Sequence, residues 1–192
     1  MLVKEILSQA AFLLGENALS EYIRRGADGS ASEEEKKELA KKTDFLLRCY
    51  NIVENEIALD YLPLTAEEYV VGGTDRIQYT SFSRTPVSVI SVTDERGNKL
   101  PYTVFPEYLS VPDAGTAVVT YSYAPEQKAL SGQTDYGAGL PERLFAYGVA
   151  CEACVIGGAY DEATAWDKKY KEALMSAHSR NRPKVIRSRR WA

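Results

Sequence analysis

The chain has 192 residues, of which 45% are hydrophobic and 26% are charged, and its formal net charge is −4. These values are typical of a soluble globular protein with its own core, and no stretch reaches the roughly 20 apolar residues that a membrane span requires. The chain has three cysteines, Cys49, Cys151 and Cys154, which are too few, and odd in number, to form a disulfide framework. Their small number favours a reducing compartment. The first residues, with an acid at Glu5, do not form the pattern of a signal peptide.

The charge is distributed unevenly along the chain. Residues 180–192 contain six basic residues and no acid. The remaining 179 residues hold the other 17 of the 23 basic residues and all 27 acidic ones, a net charge of −10. An acidic body with a basic tail indicates an interaction segment, whereas a general nucleic-acid binder is more often basic across a folded face.

The N-terminal part of the chain predicts two helices. Apolar residues recur at helical spacing over residues 2–14, and the glycine-containing stretch 24–31 is predicted to be a loop. Ser32, with Glu35 three residues later, predicts a capping box at the start of a long helix that ends at Pro63. This helix carries an apolar stripe wide enough to need covering by other elements. The stripe consists of Leu39, Leu46, Tyr50, Val53, Ile57 and Tyr61, and is widened by Phe45, Cys49 and Ile52.

The pattern changes to alternation over residues 66–123, where short runs of β-branched and aromatic residues are separated by turns. This region predicts one small antiparallel sheet with short connections, including a turn at Asp94–Asn98. The runs are Tyr69–Val71, Ile77–Tyr79, Val87–Val92, Leu100–Val104 and Thr116–Tyr123.

The C-terminal part predicts a loop, two helices and an arm. Residues 124–140 are rich in glycine and offer few anchors, so they are predicted to be a loop. Pro141 stands at a favoured first helical position, and the helix after it ends at Gly157–Gly158. A second helix begins near Asp161, and Pro183 ends it, leaving an extended tail.

These elements predict an α+β fold. It is a helical bundle of two N-terminal and two C-terminal helices, with an inserted small antiparallel β-sheet and an extended C-terminal arm. The predicted segments are N-terminal helices in 1–64, the β insert in 65–124, the loop in 125–140, C-terminal helices in 141–179, and a basic docking arm in 180–192.

The residues that could carry chemistry form no catalytic or metal-binding pattern. Cys151 and Cys154 have the spacing of half a zinc site, but a structural site needs four ligands, so packing is the favoured interpretation. His178, the single histidine, is predicted to face solvent near a helix end rather than to serve a triad. The turns at 72–75 and 137–139 lack the lysine and spacing of a phosphate-binding loop. We therefore expect no catalytic residue, metal or cofactor.

The tail is the strongest local feature. Arginine forks pair with carboxylates and stack on aromatic rings, and apolar residues stand between the charges. Because a purely solubilising tail has no use for a tryptophan, docking on a protein is favoured over a solvated, disordered tail. The candidate docking residues are Arg180, Arg182, Lys184, Val185, Ile186, Arg187, Arg189, Arg190 and Trp191.

Two blocks of the sequence and the N-terminal helix ending at Leu14-Gly15-Glu16 carry a resemblance. The first block is Arg84–Asp94 with Gly97, Leu100 and Val118–Tyr123. The second is Leu140-Pro141-Glu142 and its helix, Gly157-Gly158, and Asp161-Glu162-Ala163 leading to Trp166, Tyr170 and Leu174. In these features the chain resembles the head-to-tail connector (adaptor) proteins of tailed bacteriophages. It differs from some members in its long loop at 124–140.

The resemblance implies a structural virion protein that is not an enzyme. Such proteins form a ring, commonly a dodecamer, beneath the portal, where the ring extends the DNA channel and supports the next neck or tail protein. The resemblance further implies assembly in the host cytoplasm, a place at the head–tail interface, and DNA that passes without sequence recognition. It implies no membrane. Because the C-terminal segment of these proteins docks on the portal, that role would fall to residues 180–192.

Two other functions are compatible with the sequence. A nucleic-acid-binding protein could use the same basic tail, and its affinity for DNA would fall steeply with salt. An enzyme, for instance a cell-wall hydrolase carried in the particle, could use a pair of acidic residues brought together by the fold.

Overall fold

The computed structural model describes residues 1–25, 32–71, 76–112 and 116–181, and these form five α-helices and six β-strands. The fold is α+β, as predicted. The helices are α1 (Val3–Leu13), α2 (Asn17–Arg25), α3 (Glu33–Glu56), α4 (Glu142–Gly157) and α5 (Tyr160–Asn181). The strands are β1 (Leu64–Val71), β2 (Arg76–Gln78), β3 (Pro86–Thr93), β4 (Thr103–Val104), β5 (Tyr108–Ser110) and β6 (Thr116–Tyr123).

The chain divides into two compact units. The helical unit comprises residues 1–53 and the chain from Lys128 onward, and the β unit comprises residues 54–127. The β unit is therefore one continuous stretch, whereas the helical unit is assembled from two separate parts of the chain. The boundary near residue 53 lies inside α3.

Helix α2 was not predicted from the sequence, so the described N-terminal region has three helices rather than two. Its apolar face is clear but carries only two buried residues, Leu19 and Ile23, because the helix is nine residues long. It is held to α1 by Ser8 and Ser20, whose hydroxyls each donate to the other residue's carbonyl, at 3.0 and 2.8 Å. Of the predicted loop 24–31, the first two residues belong to α2 and the remainder lies outside the described residues.

Helix α3 begins with the predicted capping box. The Ser32 backbone N–H donates to Glu35 Oε2 at 2.8 Å, and the Glu35 N–H donates to Ser32 Oγ at 3.3 Å. The predicted stripe is buried at Leu46, Tyr50, Val53 and Ile57, but Ile52, which was predicted to widen it, is 47% exposed, and Tyr61 is 39% exposed. A π-helical turn at Ile57–Tyr61 accounts for the exposure of Tyr61, since its wider winding rotates the last residues off the predicted face.

Helix α4 lies against α1, α3 and α5 in the helical unit. A β-carbon at Gly148 would stand 2.6 Å from Val53 Cγ1 and 3.0 Å from Tyr170 Cε2, so the glycine permits close approach of the neighbouring helices. The helix begins one residue later than predicted, with Pro141 as its N-cap. It ends at Gly157 and is capped by Gly158, whose φ of 78° is left-handed, a conformation that glycine adopts without strain.

The segment between β6 and α4 is a loop, but the prediction that it has few anchors is wrong. The Asn51 side chain donates to the Lys128 carbonyl at 3.2 Å and accepts from the Lys128 N–H at 2.7 Å. Lys128 Nζ also lies 2.8 Å from Asp135 Oδ1, and the Val3 N–H donates to the Gly132 carbonyl at 3.0 Å. These partners are distant in sequence, which is why no local pattern revealed them.

The β unit contains two antiparallel three-stranded sheets, rather than the single predicted sheet. Their strand orders are β1-β6-β3 and β2-β5-β4. β5 was not predicted, and Tyr79, expected in a strand, lies in a short 3₁₀ helix. The predicted turn at 94–98 is confirmed, with Asp94 accepting from the backbone N–H groups of Arg96 and Asn98. The hydrophobic core consists of Ile77, Phe82, Val92, Leu109, Val111, Ala117, Val119 and Tyr121.

Candidate docking surfaces

The structure reaches only the first of the predicted docking residues. Arg180 lies within α5, which continues to Asn181, so the helix extends beyond the predicted boundary at residue 179. No residue before Pro183 is of a type that stops a helix, which accounts for the extension. The other predicted docking residues, Arg182, Lys184, Val185, Ile186, Arg187, Arg189, Arg190 and Trp191, lie outside the described residues.

Helix α5 is anchored through its last turns. Its buried stripe reaches Leu174 and Ala177, each 4% exposed. Near its start, Trp166 stacks on Tyr147 of α4 with ring centroids 5.9 Å apart, and Lys169 Nζ lies 4.2 Å from the Trp166 ring. The helical unit therefore holds the base of the tail in a fixed position.

The cysteines and the histidine show no arrangement for chemistry. The Cys151 thiol donates to the Ala163 carbonyl at 3.5 Å, and Cys154 Sγ lies 4.0 Å from Glu162 Oε2. Burial and the Glu162 carboxylate raise the pKa of the buried Cys154 thiol. His178 is exposed on α5. Within the described ranges, no three His, Cys, Asp or Glu side chains are grouped to hold a metal ion.

A polar cluster that the sequence did not reveal lies in the β unit. The Glu68 carboxylate of β1 accepts hydrogen bonds from the Tyr121 hydroxyl and from the Ser83 hydroxyl and backbone N–H. Burial opposes ionisation of Glu68, but these hydrogen bonds hold the pKa of the carboxyl below its ordinary value. Burial and the neighbouring Glu68 raise the pKa of Tyr121. The pair is thus a fixed acceptor and a fixed donor, suited to cross-linking strands rather than to proton transfer.

Two open pockets are lined mainly by polar side chains. One, of about 270 Å³, is lined by Ser8 and Phe12 of α1 and by Asn17, Ser20, Glu21 and Arg24 of α2. The other, of about 330 Å³, is lined by Asp94, Glu95, Arg96 and Thr116. In the first pocket both serines are already bonded to each other, so neither is held by a general base as a nucleophile.

The β4–β5 hairpin exposes a group of apolar side chains. Val104 is 56% exposed and Phe105 is 38% exposed. The Phe105 ring stacks on Tyr108 at 4.7 Å, and the Arg76 guanidinium lies 4.9 Å from the Tyr108 ring centroid. The Tyr79 hydroxyl donates to the Phe105 carbonyl at 2.9 Å. The tip is therefore held in one conformation, as an interaction surface requires.

The two edges of the β1-β6-β3 sheet differ. β3 begins with Pro86 and loses register with β6 at two places. β1 pairs all eight of its residues with β6 without a break. Thr65, Glu67 and Tyr69 alternate on its exposed face, and Tyr69 is 72% exposed. The alternation of these three residues is visible in the sequence, and this surface could have been predicted from it.

A scan against models of known protein families gives no match to this chain, and a search of the curated proteins gives none either. None of the helices in the described part of the chain is long and apolar enough to cross a bilayer.

Proposed function

We propose that this chain is a structural component of a tailed-bacteriophage virion, a head-to-tail connector. In this proposal the copies assemble in the host cytoplasm into a dodecameric ring beneath the portal, extend the DNA channel and support the next neck or tail protein. Genomic DNA passes without sequence recognition, and the protein has no enzymatic activity and requires no cofactor or membrane. The proposal rests on one observation: a basic, tryptophan-tipped segment follows a firmly anchored helix on an acidic body.

The anchoring of α5 supports this use of the tail. Leu174 and Ala177 are buried close to the end of the helix, so each copy presents the following residues from a fixed base. In a ring, many such segments engage one partner together, and each weak contact is strengthened by the others. An arm that becomes ordered on binding covers a large surface in proportion to its length.

The chemistry of the described residues also supports a structural role. Glu68, a carboxylate with several hydrogen-bond donors, has a lowered pKa, opposite to what a general acid requires. Burial raises the pKa of the Cys49 thiol to about 11, so it is not poised as a nucleophile. These groups serve hydrogen bonding and packing.

The test removes three arginines and the tryptophan of the predicted docking arm from the full-length chain. A variant carrying Arg187→Gln, Arg189→Gln, Arg190→Gln and Trp191→Ala is expected to bind portal particles at least tenfold more weakly, because charge-assisted contacts contribute about 1.5–3 kcal/mol each. Binding is measured by co-sedimentation, and the copy number by the mass of the decorated particle.

The matched control removes three exposed lysines and one exposed aromatic residue elsewhere, as Lys37→Gln, Lys41→Gln, Lys168→Gln and Tyr160→Ala. Equal portal binding by the arm variant and the wild type would refute the docking role. Loss of salt-dependent DNA binding, with portal binding unchanged, would instead favour the nucleic-acid-binding alternative.

A further inference from the structure

Strand β1 leaves one side of its backbone open. It lies at the edge of the β1-β6-β3 sheet and pairs with β6 over its whole length. Apart from that pairing, the described residues form no backbone hydrogen bond to residues 64–71. The outer N–H and C=O groups of an edge strand are a template for another extended segment.

The opposite edge shows how this sheet blocks such pairing. β3 begins at Pro86, and its register with β6 shifts between Pro86 and Ser88 and again between Val89 and Ser91. Proline and bulges are devices that prevent strand addition. β1 has neither, and it contains no lysine or arginine. The sheet is therefore protected on one edge and open on the other.

The exposed side chains of β1 specify the partner. Glu67 forms no ion pair or hydrogen bond within the described residues, and the Tyr69 ring is 72% exposed. An arginine opposite these positions would pair with the Glu67 carboxylate and stack on the Tyr69 ring. The edge therefore favours an extended segment with basic side chains at alternate positions.

Pairing of β1 with the β1 of a second copy is disfavoured. Antiparallel pairing that keeps the exposed faces of both copies on the same side places Glu67 opposite Glu67, or Glu68 opposite Glu68, of the other copy in the central registers, and like charges opposite each other destabilise a sheet. A self-complementary interface at this edge therefore brings carboxylates together, whereas a basic partner neutralises them.

We propose that the β1 edge binds an extended, basic segment of another protein by strand addition. Backbone hydrogen bonds supply the affinity, while Glu67 and Tyr69 select the basic side chains. The assignment of that protein as the next neck or tail component rests on the proposed function, in which the arm of this chain is engaged with the portal. A connector needs two separate docking surfaces, and the β1 edge would be the second.

The test uses the full-length protein and a fluorescein-labelled peptide, Thr-Arg-Val-Lys-Val-Arg-Val-Lys-Thr, followed by fluorescence anisotropy. We expect saturable binding, with no binding of the peptide in which glutamate replaces each basic residue. N-methylation of one alternate set of peptide amides should abolish binding, and methylation of the other set should leave it unchanged, because only one set faces β1.

A second test reverses one charge on the β1 edge and compares it with the same charge reversal elsewhere in the protein. Glu67→Lys is expected to weaken peptide binding about tenfold, since an attractive cross-strand pair becomes a repulsive one. Tyr69→Ser should weaken it about threefold. Glu95→Lys makes the same charge change at an exposed turn position and should have no effect.

Each of the following results would overturn the proposal: no binding of the basic peptide, equal binding by Glu67→Lys, or no effect of either N-methylated set. A wild-type dimer that the basic peptide dissociates would identify a second copy as the occupant instead. Tighter peptide binding after Arg187→Gln, Arg189→Gln and Arg190→Gln would identify the chain's own arm. Because the assay contains no portal, its failure is distinguishable from failure of the connector role.

Discussion

The helical unit and the β unit are stabilised by different means. In the helical unit, Gly148 lets helices approach to the limit of van der Waals contact, and the Asn51 side chain clamps a loop. In the β unit, a cluster of aliphatic and aromatic side chains fills the core, with Phe82 edge-on to Tyr121 at a centroid distance of 5.0 Å. The glycine contact in the helical unit is therefore sensitive to an added atom, and the packed cluster in the β unit to a removed one.

The largest expected effect is the loss of a core side chain from the β unit. Leu109→Ala should lower the free energy of unfolding by about 2–5 kcal/mol, because the fully buried side chain leaves a cavity. Urea denaturation measures the change. Val104→Ala, at a 56% exposed position on the neighbouring strand, is the control and should change stability by less than about 0.5 kcal/mol. Equal effects would contradict the placement of the core.

An added methyl group should be costly in the helical unit. Gly148→Ala is expected to destabilise the protein by about 1–3 kcal/mol through overpacking against Val53 and Tyr170, despite the higher helix propensity of alanine. Gly157→Ala, where a β-carbon meets no atom within 4 Å, should not be destabilising. Thermal and urea unfolding compare the two variants. A Gly148→Ala protein as stable as the wild type would show that the helices are not in close contact.

The hydrogen bonds between the Asn51 side chain and the Lys128 backbone should contribute less to stability. Asn51→Ala leaves the Lys128 N–H and carbonyl without their side-chain partner, and we expect a loss of about 1–2 kcal/mol. Asn51→Asp is nearly isosteric and keeps the acceptor for the N–H, but it sets a carboxylate oxygen against the Lys128 carbonyl oxygen, so its loss should be at least as large. Hydrogen exchange of the Lys128 amide reports the same interaction. An unchanged exchange rate in Asn51→Ala would rule out the clamp.

The smallest expected effect is a loss of stability of the β unit at acid pH. Because the pKa of Glu68 is lowered in the folded state, its contribution to stability is complete above the unfolded-state pKa and is lost as pH falls through the folded-state pKa. Solvent screening of this partly exposed carboxylate keeps the contribution below about 1 kcal/mol. The urea midpoint of the wild type should fall between about pH 7 and about pH 3, and Glu68→Gln should remove the share of this fall that Glu68 causes. An identical pH profile in both proteins would contradict the assignment.

Local signals accounted for the features that could be predicted. Ser32 and Glu35 are three residues apart, and the β-branched run of β3 is continuous, so capping and strand were visible in the sequence. Asn51 and Lys128 are 77 positions apart, and Glu68 and Tyr121 are 53 apart, so their contacts depend on tertiary folding. The predicted docking residues from Arg182 onward remain a prediction.

The discontinuity of the helical unit has a consequence for biosynthesis. The β unit is complete once residue 127 has left the ribosome, so its strands can pair before α4 has emerged. The hydrogen bond from the Val3 N–H to the Gly132 carbonyl, by contrast, joins the two parts of the helical unit. It cannot form until the whole β unit that lies between them has been made. The apolar faces of α1 and α3 must therefore wait, uncovered by α4, until late in translation. The nascent chain is expected to be most vulnerable to aggregation and proteolysis in its oldest part.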